Sequence, residues 1–154
     1  MNEDRYALVG PVDERVLLDR FLDEFRAALV RKVEGVSDDD AARPGVASGT
    51  SLLWLVQHMV LVEQNWFQRV LHGTDLERMW PTPEEALAEA MARYTEACAV
   101  SREKAAGLGL DHVAAHPERP YTLRWIMLHM IEETARHNGH ADILREQLDG
   151  TTGE

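Results

Sequence analysis

The sequence predicts an all-α fold, a four-helix bundle, from three observations. Four segments place apolar residues at i, i+3 and i+4, the spacing that gathers them on one face of a helix. No useful length of chain alternates with period two, so strands are not expected. The segments are long, roughly 20 to 27 residues each, and have two or three connections, as in bundles whose ligand sites lie between facing helices. The 154 residues form one domain, 1–154, by the usual prior of roughly 100 to 200 residues per domain.

The first helix is expected from about Asp13, after Pro11, to Val33, with Gly35 as its stop and Leu18, Phe21, Leu22, Phe25 and Leu29 as its apolar face. A connection of about 17 residues follows, rich in turn formers from Ser37 through Pro44-Gly45 to Ser48-Gly49-Thr50. Its acidic run Asp38-Asp39-Asp40 reads as solvated loop. The second helix is expected to begin near Ser51, capped by Thr50 or Ser48, and to end near Leu71, before His72-Gly73. Its inner face is Leu52, Leu55, Met59, Val62 and Trp66. The third opens on Thr82-Pro83-Glu84-Glu85, read as a capping box between Thr82 and Glu85 around a first-turn proline. Its stripe is Leu87, Ala90, Met91, Tyr94, Cys98, Ala105 and Leu108, ended by Gly107 and Gly109. The fourth runs from Thr122 to about Leu148 and stops at Gly150.

Sixteen Lys and Arg against 27 Asp and Glu give a net charge of −11. A phosphate backbone or an anionic bilayer would be repelled over most of the surface, so no nucleic-acid or membrane partner is expected. The longest mostly apolar stretch, Leu52 to Phe67, is interrupted by Gln57, His58, Glu63, Gln64 and Asn65 and falls short of the roughly 20 apolar residues that cross a membrane. Met1-Asn2-Glu3-Asp4-Arg5 has neither a basic n-region nor an apolar h-region, and a soluble cytoplasmic protein is expected. The single cysteine, Cys98, excludes an internal disulfide and a cysteine-based zinc site. Any metal would be held by histidine and carboxylate.

The inner faces contain such groups. With Ile126 at 0° and about 100° per residue, Met130, Leu144 and Leu148 lie within about 40° and define the buried direction of the fourth helix. Glu133 falls at about −20° and His137 at about 20°, with His140 at about −40° and His129 at about −60°. An unpaired buried carboxylate costs several kcal/mol or takes up a proton, so Glu133 implies a cation or a strong hydrogen-bonding partner. On the second helix His58 lies about 60° from Leu55, bracketed by Trp54 and Leu61. Three protein ligands with open positions are the arrangement of a catalytic metal site.

Other roles compete for each residue. His58 alone reads as a core or interface histidine, and Glu133 alone as the partner of Arg136 or of an arginine from another helix. His140 fits a group supporting the ligands, a fourth ligand or a loop cap; His129 would extend the stripe a turn lower. His72, His112 and His116 lie in turn-rich sequence and read as solvated, Cys98 as a small core residue. Of the four tryptophans, Trp54, Trp66 and Trp125 read as packing, and Trp80 as lining a pocket or interface. Glu-x-x-His and His-Glu-x-x-His are absent, which disfavours a ferritin-like di-iron site and a zincin protease.

Two blocks, Leu52-Leu53-Trp54-Leu55-Val56-Gln57-His58-Met59 with Glu63 and Trp66-Phe67, and Thr122 through Glu146 with Glu133-Thr134-Ala135-Arg136-His137 at its centre, resemble the DinB-like superfamily. The resemblance covers nearly the whole chain and is strongest to the thiol-dependent transferases related to mycothiol-dependent maleylpyruvate isomerase. It implies a four-helix bundle in which His58, Glu133 and His137 bind one divalent metal, zinc before nickel or iron; many members carry His where this chain has Glu133. It also implies mycothiol or bacillithiol as cosubstrate, a small electrophile as acceptor, and a homodimer, for which Met79-Trp80-Pro81 offers a sticky patch. The basic complement, 14 Arg to two Lys, as in GC-rich genomes, leans toward mycothiol. The alternatives are a metal-binding or stress-related bundle without turnover, and a purely structural dimer in which Glu133 is hydrogen-bonded across the bundle.

Overall fold

The computed structural model describes residues 10–153. It is all-helical apart from one isolated bridge, Val113 to Thr122. Helix α1 (Glu14–Val33) starts at Asp13, whose carboxylate accepts from the Arg15 and Val16 amides. Its buried stripe is Leu18, Leu22, Arg26, Ala28, Leu29 and Val33. Phe21 corrects the expected face: it sits about 100° from Leu22, turned out, and is exposed, while Phe25 is half-buried.

The acidic run is no loop. Asp38–Ala42 form a short helix, α2, capped by Ser37, whose hydroxyl accepts from the Asp40 amide. Three carboxylates in the first turn favour the positive end of the helix dipole. Asp38 reaches further and accepts from the Leu87 amide at 2.8 Å.

Helix α3 (Leu52–Glu63) continues directly into a π-helical segment, Gln64–Val70. Its cap is Ser51 itself, bonded to the Trp54 amide at 3.1 Å, rather than Thr50 or Ser48. The widened π turn shifts the register of the inner face. Phe67, Val70 and Leu71 are buried in consequence, and Trp66, expected inside, is only half-buried.

Helix α4 (Leu87–Ala105) begins five residues beyond the expected cap. Gln57 takes the capping-box segment apart: its amide donates to the Thr82 carbonyl at 2.8 Å and to Glu85 at 2.7 Å, and accepts from the Thr82 amide at 3.1 Å. Arg93 holds Glu85 from the other side. The Thr82 hydroxyl bonds Glu84 instead. Ala86 makes no side-chain cap, and Asp38 supplies a tertiary one.

Helix α5 (Leu123–Asp149) runs from its cap Thr122 to Gly150, whose left-handed φ of 78° ends it. α1 packs most extensively on α5, and α3 on α4 as well as α5. No helix is long and apolar enough to cross a membrane among the described residues.

A buried ion pair is among the polar groups inside this core. Arg26 Nε and Nη2 donate to the two Glu63 oxygens, each at 2.7 Å, and the residues are 5% and 0% exposed. Asp23 takes Arg26 Nη1 at 2.9 Å, and Cys98 Sγ lies 3.8 Å from Glu63 Oε1. Burial first, and the Glu63 charge second, push the Cys98 thiol up to about 12. Cys98 is therefore the inert core residue expected.

Candidate metal centre

His58 projects from the middle of α3, and Glu133 and His137 stand one turn apart on α5. The packing of α3 on α5 brings all three together, with one donor atom from each lying within 4.8 Å of the others. His137 Nε2 is 3.2 Å and His58 Nε2 3.5 Å from the same Glu133 oxygen, Oε1. The imidazoles meet edge to face at 4.7 Å, and Trp54 stacks flat on the other side of His58, at 4.9 Å and 6°. Both rings are thus fixed by packing as well as by the carboxylate.

The charge states suit a cation. Partial burial opposes ionisation of Glu133, but the charges and hydrogen bonds of His137, His58 and Arg136 outweigh it and hold the carboxyl below its ordinary value. Burial, and then the neighbouring His58, lower the His137 pKa, which keeps its ring neutral near pH 7. Two imidazoles and one carboxylate are a donor set for zinc, nickel or iron. Ligands about 2.1 Å from a tetrahedral ion stand about 3.4 Å apart, so holding one here would draw the more widely spaced of these donors closer together.

The remaining histidines separate. His140 is exposed, yet its Nδ1 lies 3.3 Å from His137 Nδ1, on the far side of the ring from Glu133. His129 is not in the cluster: it stacks on Trp125 at 5.1 Å and touches Trp66 at 4.6 Å, with Glu132 its nearest carboxylate. His72 and His112 are exposed as expected. His116 is half-buried, and its Nδ1 accepts from the Glu118 and Arg119 amides, so it shapes its loop.

Beside His58 opens a pocket of about 200 Å³, lined also by Asn65, Trp66, Arg69, Arg78 and Trp80. Trp80 is the pocket residue the sequence suggested; Arg69 and Arg78 were missed, since a lone arginine in a polar segment carries no periodic signal. Arg26 and Glu63 were missed as well. Arg26 falls four residues after Leu22 and three before Leu29, on the stripe itself, and that spacing was the available signal.

The family profile for mycothiol-S-transferases matches residues 17–150. The chain belongs to the mycothiol-S-transferase family. A crystal structure of a conserved protein from Enterococcus faecalis superposes with a TM-score of 0.65 at 16% identity, over 92% of this chain and 100% of that one. At that identity the likeness shows the fold, an all-α bundle. No curated protein matches the sequence. Membership of a mycothiol-S-transferase family implies a small-molecule thiol as partner.

Proposed function

We propose that this mycothiol-S-transferase family member is a metal-dependent enzyme that transfers a low-molecular-weight thiol, mycothiol before bacillithiol, to a small electrophile in the cytoplasm. The observation that carries the reading is the convergence of His58, Glu133 and His137 donor atoms within 4.8 Å, beside a pocket, in a chain of this family. A divalent ion held there, zinc first, would supply positive charge that favours thiolate over thiol near pH 7. Glu133 contributes the negative charge that binds the ion. His58 is oriented by Trp54, and His137 by His140. For His137 to offer its Nε2 lone pair, its ring proton must sit on Nδ1, and His140 Nδ1 is placed to accept it at 3.3 Å. The exchange itself forms a bond from sulfur to the electrophilic carbon, the leaving group departs with its electron pair, and the thiol proton passes to solvent.

A bundle without turnover remains the second reading on one observation: Arg136 also reaches Glu133, at 3.2 Å, so the carboxylate has partners besides an ion. The homodimer belongs to the proposal too, resting on Met79 and Trp80, 59% and 68% exposed. The deciding experiment is consumption of mycothiol, bacillithiol and glutathione with a generic electrophile, before and after metal removal. Chelator-sensitive consumption of mycothiol supports the enzyme. Stoichiometric metal with no thiol consumed supports the bundle without turnover.

A further inference from the structure

Among the described residues, nine arginines hold carboxylates: 15, 26, 31, 43, 93, 102, 124, 136 and 145. Arg119 donates to the Tyr121 hydroxyl. Arg20, Arg69 and Arg78 have no side-chain hydrogen bond or ion pair. Two of these three line the same pocket beside His58. Arg69 comes from the π-helical segment, on the face that also carries Trp66, and Arg78 from the connection to α4. Arg78 lies over the Trp80 ring at 5.8 Å, within cation–π reach.

This pairing is out of keeping with the rest of the surface. The chain carries 27 carboxylates for 16 basic side chains, and Asp75 and Glu77, close to Arg78 in sequence, do not pair with it. Two guanidinium groups around about 200 Å³ repel each other and focus an anion from outside. Guanidinium forks match a carboxylate or sulfonate in shape as well as charge. The indoles of Trp66 and Trp80 add flat faces on which an aromatic ring can lie. The volume is below that of a site for a drug-sized ligand, so the fit is to a small acid.

We propose that this pocket binds the anionic group of a small aromatic electrophile, with Arg69 and Arg78 gripping the anion and Trp80 covering the ring, so that the reactive carbon faces the His58, Glu133 and His137 cluster. The substrate class rests on the transferase reading; the anion site does not. In a substitution on an aryl chloride, the sulfur–carbon bond forms, chloride leaves with the bonding pair, and the thiol proton goes to solvent.

Tryptophan fluorescence titration of the full-length protein as purified, with benzoate and with benzamide, separates charge from ring. Benzoate should bind about tenfold more tightly. R69Q and R78Q, at matched metal content, should each lose about tenfold in benzoate affinity with benzamide unchanged, whereas R20Q, which removes the same charge far from the pocket in sequence, should lose nothing. In thiol transfer to 4-chloro-3-nitrobenzoate, R69Q and R78Q should raise the electrophile KM about tenfold and leave the thiol KM alone. Equal affinity for benzoate and benzamide, wild-type benzoate affinity in R69Q and R78Q, an equal loss in R20Q, or a rise in the thiol KM would each overturn the assignment. Arginine-dependent benzoate binding with no thiol transfer to any electrophile would uphold the anion pocket and remove the transferase reading instead.

Discussion

Substituting Glu63 by glutamine should destabilise the bundle far more than any surface change, while leaving the metal centre intact. The side chain is fully buried, and both its oxygens are held by a guanidinium that is itself 5% exposed. Glutamine keeps the volume but leaves the Arg26 charge in the core. Breaking one partner of a buried ion pair costs about 3–5 kcal/mol. Asp23 stays 2.9 Å from Arg26 but is screened by its partial exposure, so the loss should fall at about 3–4 kcal/mol. Against a total of about 5–15 kcal/mol this is a large fraction, and at about 2–4 °C per kcal/mol it lowers Tm by about 6–16 °C. The double substitution Arg26→Met with Glu63→Leu removes both charges and should return to within about 2 kcal/mol of wild type, since an apolar replacement of a buried pair is often neutral. Urea denaturation of the two single variants and the double variant gives the cycle. A Glu63→Gln loss below about 1 kcal/mol, or a double variant as unstable as the singles, would refute the reasoning.

Three further expectations follow from the same geometry. His137 and Glu133 are both held below their ordinary values, so the folded state binds fewer protons there than the unfolded chain. Their stabilisation is present above about pH 6.5 and about pH 4.5 respectively and is lost as pH falls through the lower folded values; thermal melts at high salt, which quiets surface charge, should show Tm falling from neutral pH downward, and a Tm rising on acidification would contradict it. Cys98, with a pKa of about 12, is thiolate to about one part in ten thousand at pH 8, so iodoacetamide should label it only in denaturant; native labelling within minutes would refute its burial. Light scattering at micromolar concentration should give twice the 17.4 kDa of one chain, and Trp80→Ser should shift it toward the monomer; a wild-type monomer would remove the dimer.

The fold class was legible because helical periodicity survives in every long segment, and Glu133 and His137 because a carboxylate and an imidazole on the Ile126, Met130 and Leu144 stripe contradict the hydrophobic pattern around them; His58 stood out only in combination with them and with the family resemblance. Local signals failed where a tertiary contact outbid them. The Thr82 and Glu85 capping box has correct spacing, but Gln57 and Arg93 bind its members more strongly than the helix start does. Asp38 reads as solvated by composition, and only the folded chain brings the Leu87 amide to it. Trp66 was placed on the inner face by assuming about 100° per residue, an assumption that the π segment breaks. The arginine pair of the pocket comes from two segments nine residues apart, and no periodicity links them.

The central claim is that His58, Glu133 and His137 hold the ion on which thiol transfer depends. It is tested most directly by measuring metal content and mycothiol consumption on the same samples of wild type, His58→Ala, Glu133→Gln and His137→Ala, each checked for fold by circular dichroism. The wild type should hold about one ion per chain, the alanine variants should lose metal and activity together, and chelation should lower the wild-type Tm because the ion binds only the folded state. Glu133→Gln removes one negative charge at constant volume, so it should bind the ion less tightly and lose activity in proportion to the metal it loses. Full thiol transfer by any of these proteins in metal-free form would contradict the account.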